Sequence, residues 1–291
     1  MPWPIKFPTL TTDLPPTDEG LPYLRSYPLY ICHGIALAGP FFVPFSWGYV
    51  GLALLLYAVR MCGLSAGYHR YFAHRSFATS RAFQLVLAFL GGICTQRGAL
   101  WWAANHRQHH ACADRPGDLH SPVRDGFFWS HLGWILSKRH ETTRLDRIRD
   151  FARFPELRWL DRHHFVPSLV YAGALLLLGG WPALIWGCFV STVLLWHATF
   201  SINSLAHVVG RRRYPTRDQS RNNSVLALLM MGEGWHNNHH HFRSSAALGF
   251  YWWEVDVTYY LLRALAALGL IWDVRTPPLA VRESWRTEPG T

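Results

Sequence analysis

Three short segments of the chain, HRYFAH, HRQHH and HNNHH, are rich in histidine. They supply eight candidate metal ligands, which are His69, His74, His106, His109, His110, His236, His239 and His240. On a helix, residues i, i+3 and i+4 share one face, so each H-x-x-H-H segment is predicted to aim three ring nitrogens at one point. Imidazole binds Zn, Cu, Fe and Ni. Eight ligands exceed what one ion can hold, so the pattern predicts two metal ions.

The first segment is spaced differently from the other two. His69 and His74 are five positions apart, a separation that turns about 140° on an α-helix, so their rings converge only if the helix unwinds. We therefore predict that the second span unwinds just after His69. His207, in NSLAH, is a ninth candidate ligand, because it lies four residues after Asn203 and so on the same helical face.

The composition is that of a membrane protein. Hydrophobic residues make up 50% of the 291 residues and charged residues only 16%, against about 25% in soluble domains. The formal net charge is +10, but the basic residues alternate with long uncharged blocks. This pattern favours lipid headgroups or an anionic substrate over nucleic acid as partners. The five cysteines form no C-x-x-C pair and say little about function.

Two long uncharged segments contain the predicted membrane spans. Residues 26–59 carry no formal charge and are broken near Pro40, and residues 165–210 carry none and are broken at GGWP. Each segment has room for two crossings of roughly 17–22 residues. The four predicted transmembrane helices are 27–44, 47–68, 163–180 and 183–205. Residues 82–96 and 248–272 are too short or too charged to cross, so they are predicted to lie at the interface or in a cap.

The basic residues indicate the orientation of these spans. Of the 28 lysines and arginines, 15 lie in residues 68–164 and 10 in residues 204–291, and neither turn between paired spans has any. Such an asymmetry places these segments, with the candidate ligands, in the cytoplasm. The predicted fold is an all-α integral membrane protein with four transmembrane helices in two hairpins and a cytoplasmic helical cap that holds a histidine-rich di-metal site. The predicted domains are an extended cytoplasmic arm (1–25), a membrane domain (26–275) whose cap comprises 69–162 and 206–275, and a tail (276–291).

The sequence resembles the integral-membrane fatty acid desaturases, and most closely their acyl-CoA Δ9 branch, the stearoyl-CoA type. The histidine segments match that family in order and spacing, and the similarity extends through GDLHSP, GFFWSHLGWIL, PELRWLDRHHFVP, NSLAH and SRNNSVLALLMMGEGWHNNHHHF. It covers residues 25–275. The resemblance implies a di-iron centre held by nine histidines, which are the eight named above and His207. It also implies that Asn203 contacts one iron through water and that His241 is not a ligand.

The resemblance further implies the reaction and the external partners. The enzyme would be an O2-dependent acyl-CoA Δ9 desaturase that places a cis double bond in a saturated C16 or C18 acyl chain. The metal centre would carry the chemistry, with no other catalytic residue. Two electrons per turnover would come from an external ferredoxin, cytochrome b5 or flavoprotein reductase.

Several residues match family positions that contact substrate. Lys138 and Arg139 match basic positions that would bind the phosphates of CoA. Ala104-Asn105 stands where relatives of the animal type have Arg-Asp, which leaves the acyl carrier open among CoA, acyl carrier protein and lipid. Positions that line the acyl tunnel near the metals are matched by Gln96, Trp102 and Thr199.

Helix geometry predicts where the acyl tail ends. Tyr57, Met61, Ser65 and His69 are spaced by four residues and form one stripe on the second span. Along that stripe Met61 lies about 12 Å and Tyr57 about 18 Å deeper than His69. A tail that extends beyond the metals would be stopped near that depth. Met61 is bulkier than the small residue of some C18-preferring members of the resembled family, so the stripe predicts a preference for C16.

Other polar residues are assigned supporting roles. The acidic residues near the histidine segments are candidates to orient the imidazole rings, and these are Asp114, Asp118, Asp218 and Glu233. The run Arg211–Arg213 is a candidate anchor for lipid headgroups. The isolated histidines His33, His164 and His197 are predicted to make ordinary polar contacts. Only two of the 28 basic residues are lysines, which hints at a GC-rich bacterial genome and therefore at a bacterial inner membrane.

Two other classes of function remain open at this point. A related membrane di-iron hydroxylase or ketolase would use the same metals to insert oxygen, and an alcohol product would identify it. A non-enzymatic metal transporter or sensor would place polar residues through the spans, whereas here the histidines cluster at one membrane face. Double-bond position, electron donor and oligomeric state do not follow from the sequence.

Overall fold

Helices make up most of the described chain, residues 26–286, in the computed structural model, and only two short strands accompany them there. The predicted arm at residues 1–25 and the end of the tail lie outside this range. Within it the α-helices are α1 (Tyr27–Ala38), α2 (Trp47–Gly63), α3 (Arg81–Gly92), α4 (Ala99–Cys112), α5 (Trp134–Leu136), α6 (Arg149–Ala152), α7 (Pro155–Arg162), α8 (Phe165–Ala183), α9 (Ser191–Ser204), α10 (Ser224–Leu229), α11 (His236–His241), α12 (Val257–Ala267) and α13 (Leu279–Arg282). The predicted helical class is confirmed.

Shorter or wider elements connect these helices. The π-helices of the described chain are Leu64–Ala73, Trp129–Gly133 and Leu184–Val190. Its 3-10 helices are Gly39–Phe42, Lys138–His140, Leu145–Arg147, Leu205–His207 and Ser284–Arg286. Two short strands, β1 (Ala78–Thr79) and β2 (Ile271–Trp272), pair antiparallel with Ala78 opposite Trp272. This pairing ties the end of α12 to the segment that follows the first histidines.

One apolar helix is continuous from Trp47 to Ala73, because α2 runs directly into the π-helix Leu64–Ala73. The hydroxyl of Ser46 accepts a hydrogen bond from the backbone N–H of Gly48 at 3.1 Å and so satisfies a free donor of the first turn. With 27 residues the helix is about 40 Å long, which exceeds the roughly 30 Å hydrocarbon core of a bilayer. It is long and apolar enough to cross a membrane.

The apolar stretch Phe165–His207 folds back on itself. Gly180 has φ 64° and ψ −162°, a conformation that favours glycine, and it interrupts the helix at the GGWP sequence. The hydroxyl of Tyr171 donates a hydrogen bond to the carbonyl of Gly187 at 2.6 Å. Residues 16 positions apart would lie about 24 Å apart on a straight helix. The stretch is therefore a helical hairpin.

Two stretches of the described chain, Trp47–Ala73 and Phe165–His207, have the length and apolar composition of membrane spans. The 12 residues of α1 and the four of the next 3-10 helix are fewer than the 20 or so that a crossing helix needs. Large apolar side chains face outward on the apolar helices. On α8, for example, Leu177 and Leu178 are 87% and 89% exposed. These faces fit a lipid environment, while the count of four crossings stays a prediction.

The chain does not unwind after His69, so that prediction is wrong. In the π-helix Leu64–Ala73 the N–H of His74 donates to the carbonyl of His69, five positions back, at 3.2 Å. In a π-helix each backbone N–H bonds to the carbonyl five residues back, so residues five apart lie on nearly the same face. His69 and His74 therefore share one face, with ring centroids 4.9 Å apart. A widened helix, not a broken one, brings the two rings together.

Close packing fixes this π-helix against α3 and α4. Gly91 of α3 lies against the ring of Tyr68, and a Cβ at that glycine would come within 2.1 Å of the ring carbons. Phe72 and Leu100 are completely buried in the same hydrophobic core. Each such side chain contributes about 1.5–3 kcal/mol through burial. The core therefore holds the first two histidine segments in a fixed relation.

Two isolated histidines connect three elements. His33 donates from Nδ1 to the Leu29 carbonyl at 2.8 Å, and its Nε2 lies 3.0 Å from Nε2 of His197. Nδ1 of His197 lies 3.0 Å from Nε2 of His131. Because a carbonyl only accepts, the His33 proton is on Nδ1, and His197 must donate at Nε2. The contacts join α1, α9 and the π-helix Trp129–Gly133, and the prediction of polar contacts for His33 and His197 is confirmed.

Candidate metal centre

Nine histidine side chains converge as two groups. Group A, in which the ligand nitrogens all lie within 4.8 Å of one another, consists of His69, His74, His106, His110 and His239. Group B, defined in the same way, consists of His109, His207, His236 and His240. The groups adjoin, since the ring centroids of His110 and His240 are 4.4 Å apart. The structure thus brings together all nine histidines named from the sequence and divides them between two positions.

Each H-x-x-H-H segment is divided between the groups, so the prediction that it aims three nitrogens at one point is wrong. In α4 the middle histidine, His109, belongs to group B and the outer two to group A, and in α11 the middle histidine, His239, belongs to group A and the outer two to group B. At about 100° per residue, positions i and i+4 differ by about 40°, whereas i+3 and i+4 differ by about 100°. The middle histidine therefore points to the neighbouring group.

Hydrogen bonding alone cannot satisfy group A. Its Nε2 atoms form the series His69, His239, His110, His106 and His74, with 2.9–3.0 Å between successive atoms. A ring nitrogen carries either one proton or one lone pair, so only alternate contacts of the series can be hydrogen bonds. Nitrogens bound about 2.1 Å from a metal, at right angles, lie about 3.0 Å apart. The five nitrogens therefore fit a bound cation.

Four carboxylates contact the outer nitrogens of the histidines. The Nδ1–carboxylate pairs are His69–Glu233 at 2.6 Å, His109–Asp118 at 2.8 Å, His207–Asp114 at 2.8 Å and His240–Asp218 at 2.9 Å. A carboxylate at Nδ1 keeps the ring proton there and leaves the lone pair on Nε2, where a metal would bind. The sequence-based prediction that these four acids lie beside the histidines is confirmed.

Burial and pairing set the charges of the site. Burial opposes ionisation of Asp114, but the hydrogen bond from His207 outweighs it and lowers the pKa of the carboxyl to about 2. Burial is likewise outweighed at Glu233, where His69 lowers the pKa to about 2. Burial and neighbouring histidines hold the pKa of His106 well below its ordinary value. At neutral pH these carboxylates are ionised and the His106 ring is neutral, which is the form that binds metals.

Glu233 connects group A to a buried charge network. Its Oε1 accepts hydrogen bonds from the Ser65 hydroxyl and from Nη2 of Arg70, the latter at 3.3 Å. Nη2 of Arg70 also lies 2.8 Å from Oδ1 of Asp256. Removing one partner of a buried pair leaves an uncompensated charge, at a cost of about 3–5 kcal/mol. Sequence reasoning missed Arg70 and Asp256, and the only local signal for Arg70 is its position directly after His69.

A small cavity of about 40 Å³ reaches both groups. Its walls include His69 and His106 of group A, His236 of group B, and Asn203. The other lining residues are Met61, Leu64, Ser65, Trp102, Thr199, Ile202, Met230 and Glu233. This volume holds roughly three water-sized molecules. A small molecule in the cavity would contact both groups at once.

Three residues assigned to the acyl tunnel lie together beside group A. Trp102 and Thr199 line the cavity, and Trp102 stacks on His106 with ring centroids 4.8 Å apart. Gln96 lies behind them. Its side-chain amide donates to Oγ1 of Thr199 at 3.0 Å, and its side-chain oxygen accepts from Nε1 of Trp102 at 3.3 Å. Gln96 therefore positions two wall residues and does not itself face the cavity.

The remaining substrate positions are spread over the molecule. Met61 lines the cavity, whereas Tyr57, one turn deeper, is not among its lining residues and donates from its hydroxyl to the Leu229 carbonyl at 2.7 Å. Arg139 is exposed, and its backbone N–H donates to the hydroxyl of Ser137 at 3.2 Å. The side chain of Lys138 lies outside the described part of the structure.

Two basic residues have roles that the sequence did not reveal. His120, in GDLHSP, stacks on His109 with ring centroids 4.4 Å apart, and its proximity to Asp118 in the sequence was an available signal. Arg213 forms an ion pair with the buried Glu254 and donates to Oδ1 of Asn238 at 3.3 Å. The headgroup-anchor interpretation is therefore wrong for Arg213.

Comparison with known proteins gives extended matches. The sequence model of the fatty acid desaturase family matches residues 45–275. An sn-2 palmitoyl-lipid 9-desaturase from Nostoc sp. (strain 36) is 38% identical over 254 residues, which cover 85% of this chain and 88% of the relative. An sn-1 stearoyl-lipid 9-desaturase from Anabaena variabilis is 39% identical, over 80% of this chain and 87% of the relative. An icosanoyl-CoA 5-desaturase from Limnanthes douglasii is 35% identical, over 89% of this chain and 74% of the relative.

Proposed function

Since this chain belongs to the fatty acid desaturase family, which makes it a membrane-associated oxidoreductase, we propose that it introduces a cis double bond at Δ9 into a saturated C16 or C18 acyl chain. The observation that carries the proposal is the cavity that contacts both histidine groups. The 9-desaturases from Nostoc and Anabaena, described above, support the position. In the overall reaction, a CH2–CH2 pair, O2, two electrons and two protons are converted to a CH=CH pair and two molecules of water.

We propose iron as the metal, with two ions. The nine histidines of groups A and B would hold them, and Asn203 of the cavity wall would reach one of them through water. Iron supplies the O2 activation and hydrogen abstraction that no side chain can perform. Family membership and the all-imidazole donor set support this choice, since imidazole is a good ligand for iron.

The side chains around the metals would position the substrate and hold protons in place. Met61, Trp102 and Thr199 shape the wall that an acyl methylene pair would have to meet. Asp114 and Glu233 keep protons on Nδ1 of their histidines, so that Nε2 stays available.

We propose a membrane glycerolipid as the acyl carrier, with acyl-CoA and acyl carrier protein as the alternatives. The Nostoc and Anabaena relatives are named for palmitoyl-lipid and stearoyl-lipid substrates. Ala104 and Asn105, which stand where animal-type desaturases have an Arg-Asp pair, are both buried. The icosanoyl-CoA relative keeps CoA as the leading alternative.

The proposal also includes four membrane crossings and a site on the cytoplasmic face of a bacterial inner membrane. The hairpin of α8 and α9 supplies two crossings, and α2 with its π-helix supplies another. The fourth would be α1 with the Gly39–Phe42 turn, which carries no charge. The arginine-rich segments lie on the histidine side of these helices, as the distribution of charge in membrane proteins requires.

Product analysis tests the function directly. Expression in a bacterium that lacks its own acyl desaturase, supplied with a compatible electron donor, is expected to yield new cis-Δ9 C16 or C18 monoenes in the phospholipids. Mass spectrometry with double-bond localisation would measure them, and reporter fusions at residue 181 in the same strain would give the side of the second turn. Hydroxylated lipids without a monoene would establish the hydroxylase alternative, and a Δ5 or Δ7 product would overturn the position. Feeding labelled acyl-CoA and labelled glycerolipid to membranes separates the carriers.

Replacing Met61 with alanine is expected to shift the products toward longer chains. Met61 is 1% exposed, lines the cavity and lies two helical turns deeper than His69, so its removal opens the wall at that depth. We expect the C18:1 to C16:1 ratio to rise several-fold, as measured by gas chromatography of host lipids. Leu55→Ala, an exposed position on the same helix, is the matched control. An unchanged ratio in a Met61→Ala enzyme with normal metal content would show that Met61 does not limit chain length.

A further inference from the structure

A second and larger cavity, of about 310 Å³, lies on the cap away from the two histidine groups. It is lined by aromatic side chains, with Tyr251, Trp252, Tyr259 and Tyr260 among them. Trp252 is 86% exposed and Trp253, beside it, is 53% exposed. Large exposed aromatic patches of this kind mark sites of interaction with a partner. Tyr251, Trp252, Trp253 and Trp285 are called the aromatic patch below.

A run of buried ionic contacts leads from this cavity to group A. Asp256 is part of the cavity wall, and its Oδ1 lies 2.8 Å from Nη2 of Arg70. The same Nη2 lies 3.3 Å from Oε1 of Glu233, whose Oε2 lies 2.6 Å from Nδ1 of His69. All four side chains are at most 7% exposed. The wall of the cavity is thus connected to a histidine of group A without a gap in the packing.

A second run of contacts joins the patch to group B. His241, which follows His240 in the chain, stacks on the ring of Tyr214 with centroids 4.0 Å apart and planes 3° apart. The hydroxyls of Tyr214 and Tyr251 both donate to the Arg282 carbonyl, at 2.7 and 3.0 Å. The Tyr251 ring stacks on Trp253 at 4.7 Å, and Nε1 of Trp285 donates to the Tyr251 hydroxyl at 2.8 Å. Packed aromatic and hydrogen-bonded atoms therefore extend from the exposed patch to His241, beside group B, while the ionic run leads from the adjoining cavity wall to group A.

Arginines surround the aromatic patch. The guanidinium groups of Arg213 and Arg282 lie 4.8 and 5.6 Å from the centre of the Tyr251 ring, and that of Arg286 lies 5.2 Å from the Trp285 ring. These three cations outnumber the two carboxylates they pair with, Glu254 and Glu283. The chain as a whole carries a formal charge of +10. The surface is therefore complementary to an acidic partner.

The proposed reaction requires two electrons per turnover, and no amino-acid side chain is a reductant of the required strength. We propose that the aromatic patch and its arginines form the docking site for an acidic one-electron carrier protein, which delivers one electron in each of two encounters. The carrier is oxidised twice, and the two electrons with two protons complete the reduction of O2 to water during desaturation. The two packed runs of atoms provide continuous routes through the protein from the cavity wall and the patch toward the proposed metal sites.

This inference rests on the proposed function. The test uses full-length protein in nanodiscs and an acidic plant-type [2Fe–2S] ferredoxin as the probe. Trp252→Ala/Arg286→Glu removes an exposed ring and reverses an exposed charge of the patch. Trp159→Ala/Arg144→Glu makes the same two changes at exposed positions elsewhere.

We expect the patch variant to bind ferredoxin at least 10-fold more weakly by biolayer interferometry, with a weaker dependence on salt, because a central exposed tryptophan and a rim arginine are typical binding determinants. Anaerobic oxidation of reduced ferredoxin, followed by stopped flow, should slow at subsaturating carrier. Desaturation driven by a small-molecule reductant should be unchanged. The control variant should behave as wild type in every assay.

Several results would overturn the proposal. One is wild-type ferredoxin binding by the patch variant, and another is an equal loss of binding in the control variant. A third is quenching of tryptophan fluorescence by brominated lipid that decreases in Trp252→Ala, since it would place the patch in the bilayer as a membrane anchor. If the wild-type protein forms no desaturated product with the small-molecule reductant, that result would instead count against the proposed function. Ferredoxin binding could still be measured in that case.

Discussion

Replacing His239 with alanine is expected to abolish desaturation and remove metal at the same time. Nε2 of His239 lies 3.0 Å from that of His69 and 2.9 Å from that of His110, so it is a central member of group A. His239 is 0% exposed, and alanine leaves the space without a ligand. We expect bound iron to fall from about two ions per chain to about one or fewer, and activity to fall at least 100-fold. Elemental analysis of purified protein gives the first number, and product analysis gives the second.

Variants of the other group and of the surface make this expectation specific. His236→Ala removes a member of group B and should have a comparable effect, since Nε2 of His236 lies 3.0 Å from that of His207. His163→Ala is the matched control, because the ring of His163 bonds only locally to the Trp159 carbonyl at 2.9 Å. Full iron content and activity in His239→Ala, or an equal loss in His163→Ala, would exclude the assignment of the two groups as metal sites.

Changing Asp118 to asparagine is expected to weaken metal binding while the fold is retained. Oδ1 of Asp118 lies 2.8 Å from Nδ1 of His109, and Oδ2 accepts from the backbone N–H of Asp114 at 2.7 Å. Burial raises the pKa of Asp118, but His109 outweighs that effect, so the carboxyl titrates well below its ordinary range and stays ionised. Asparagine removes this charge. We expect about a 10- to 100-fold loss of metal affinity, the effect typical of residues that orient metal-binding histidines.

Competition with a chelator would measure that loss. Asp146→Asn is the control, since Asp146 forms an exposed ion pair with its neighbour Arg144. Thermal unfolding of the metal-free proteins would show whether Asp118→Asn also costs stability. A variant with wild-type metal affinity but a lower unfolding temperature would mean that Asp118 serves the fold of the 112–121 loop and does not serve the metal.

The histidine pattern shows how far the sequence alone reaches. The three segments predicted two metals from ligand number alone, and the structure contains two groups of ligands. The four acids were also identified from the sequence, because Asp114, Asp118 and Glu233 each lie within four residues of a histidine and Asp218 lies between His207 and His236. Membership in the fatty acid desaturase family was predicted from the same motifs and is confirmed by the family match. Ligand type and local spacing are properties of the chain itself.

The division of the nine histidines between groups A and B was decided only in three dimensions. Helix geometry already gives the middle histidines, His109 and His239, a direction that differs from those of their neighbours, but only the tertiary structure places a second group where they point. The convergence of His69 and His74 had the same origin. The sequence permitted a break or a widened helix, and close packing against α3, through Gly91 and Tyr68, accompanies the π-helix that formed.

The charge network behind the site could not be read from the sequence at all. Arg70 and Asp256 are 186 positions apart, yet their side chains lie 2.8 Å from each other in the protein interior. The sequence presents Asp256 as an interruption of an apolar segment, and the structure presents it as the partner of a buried cation. What the sequence determined is the chemistry of each side chain and its close neighbours along the chain. Which distant charges meet was decided by the tertiary structure, because an isolated buried charge is too costly to persist and each must lie where the fold supplies its counterpart.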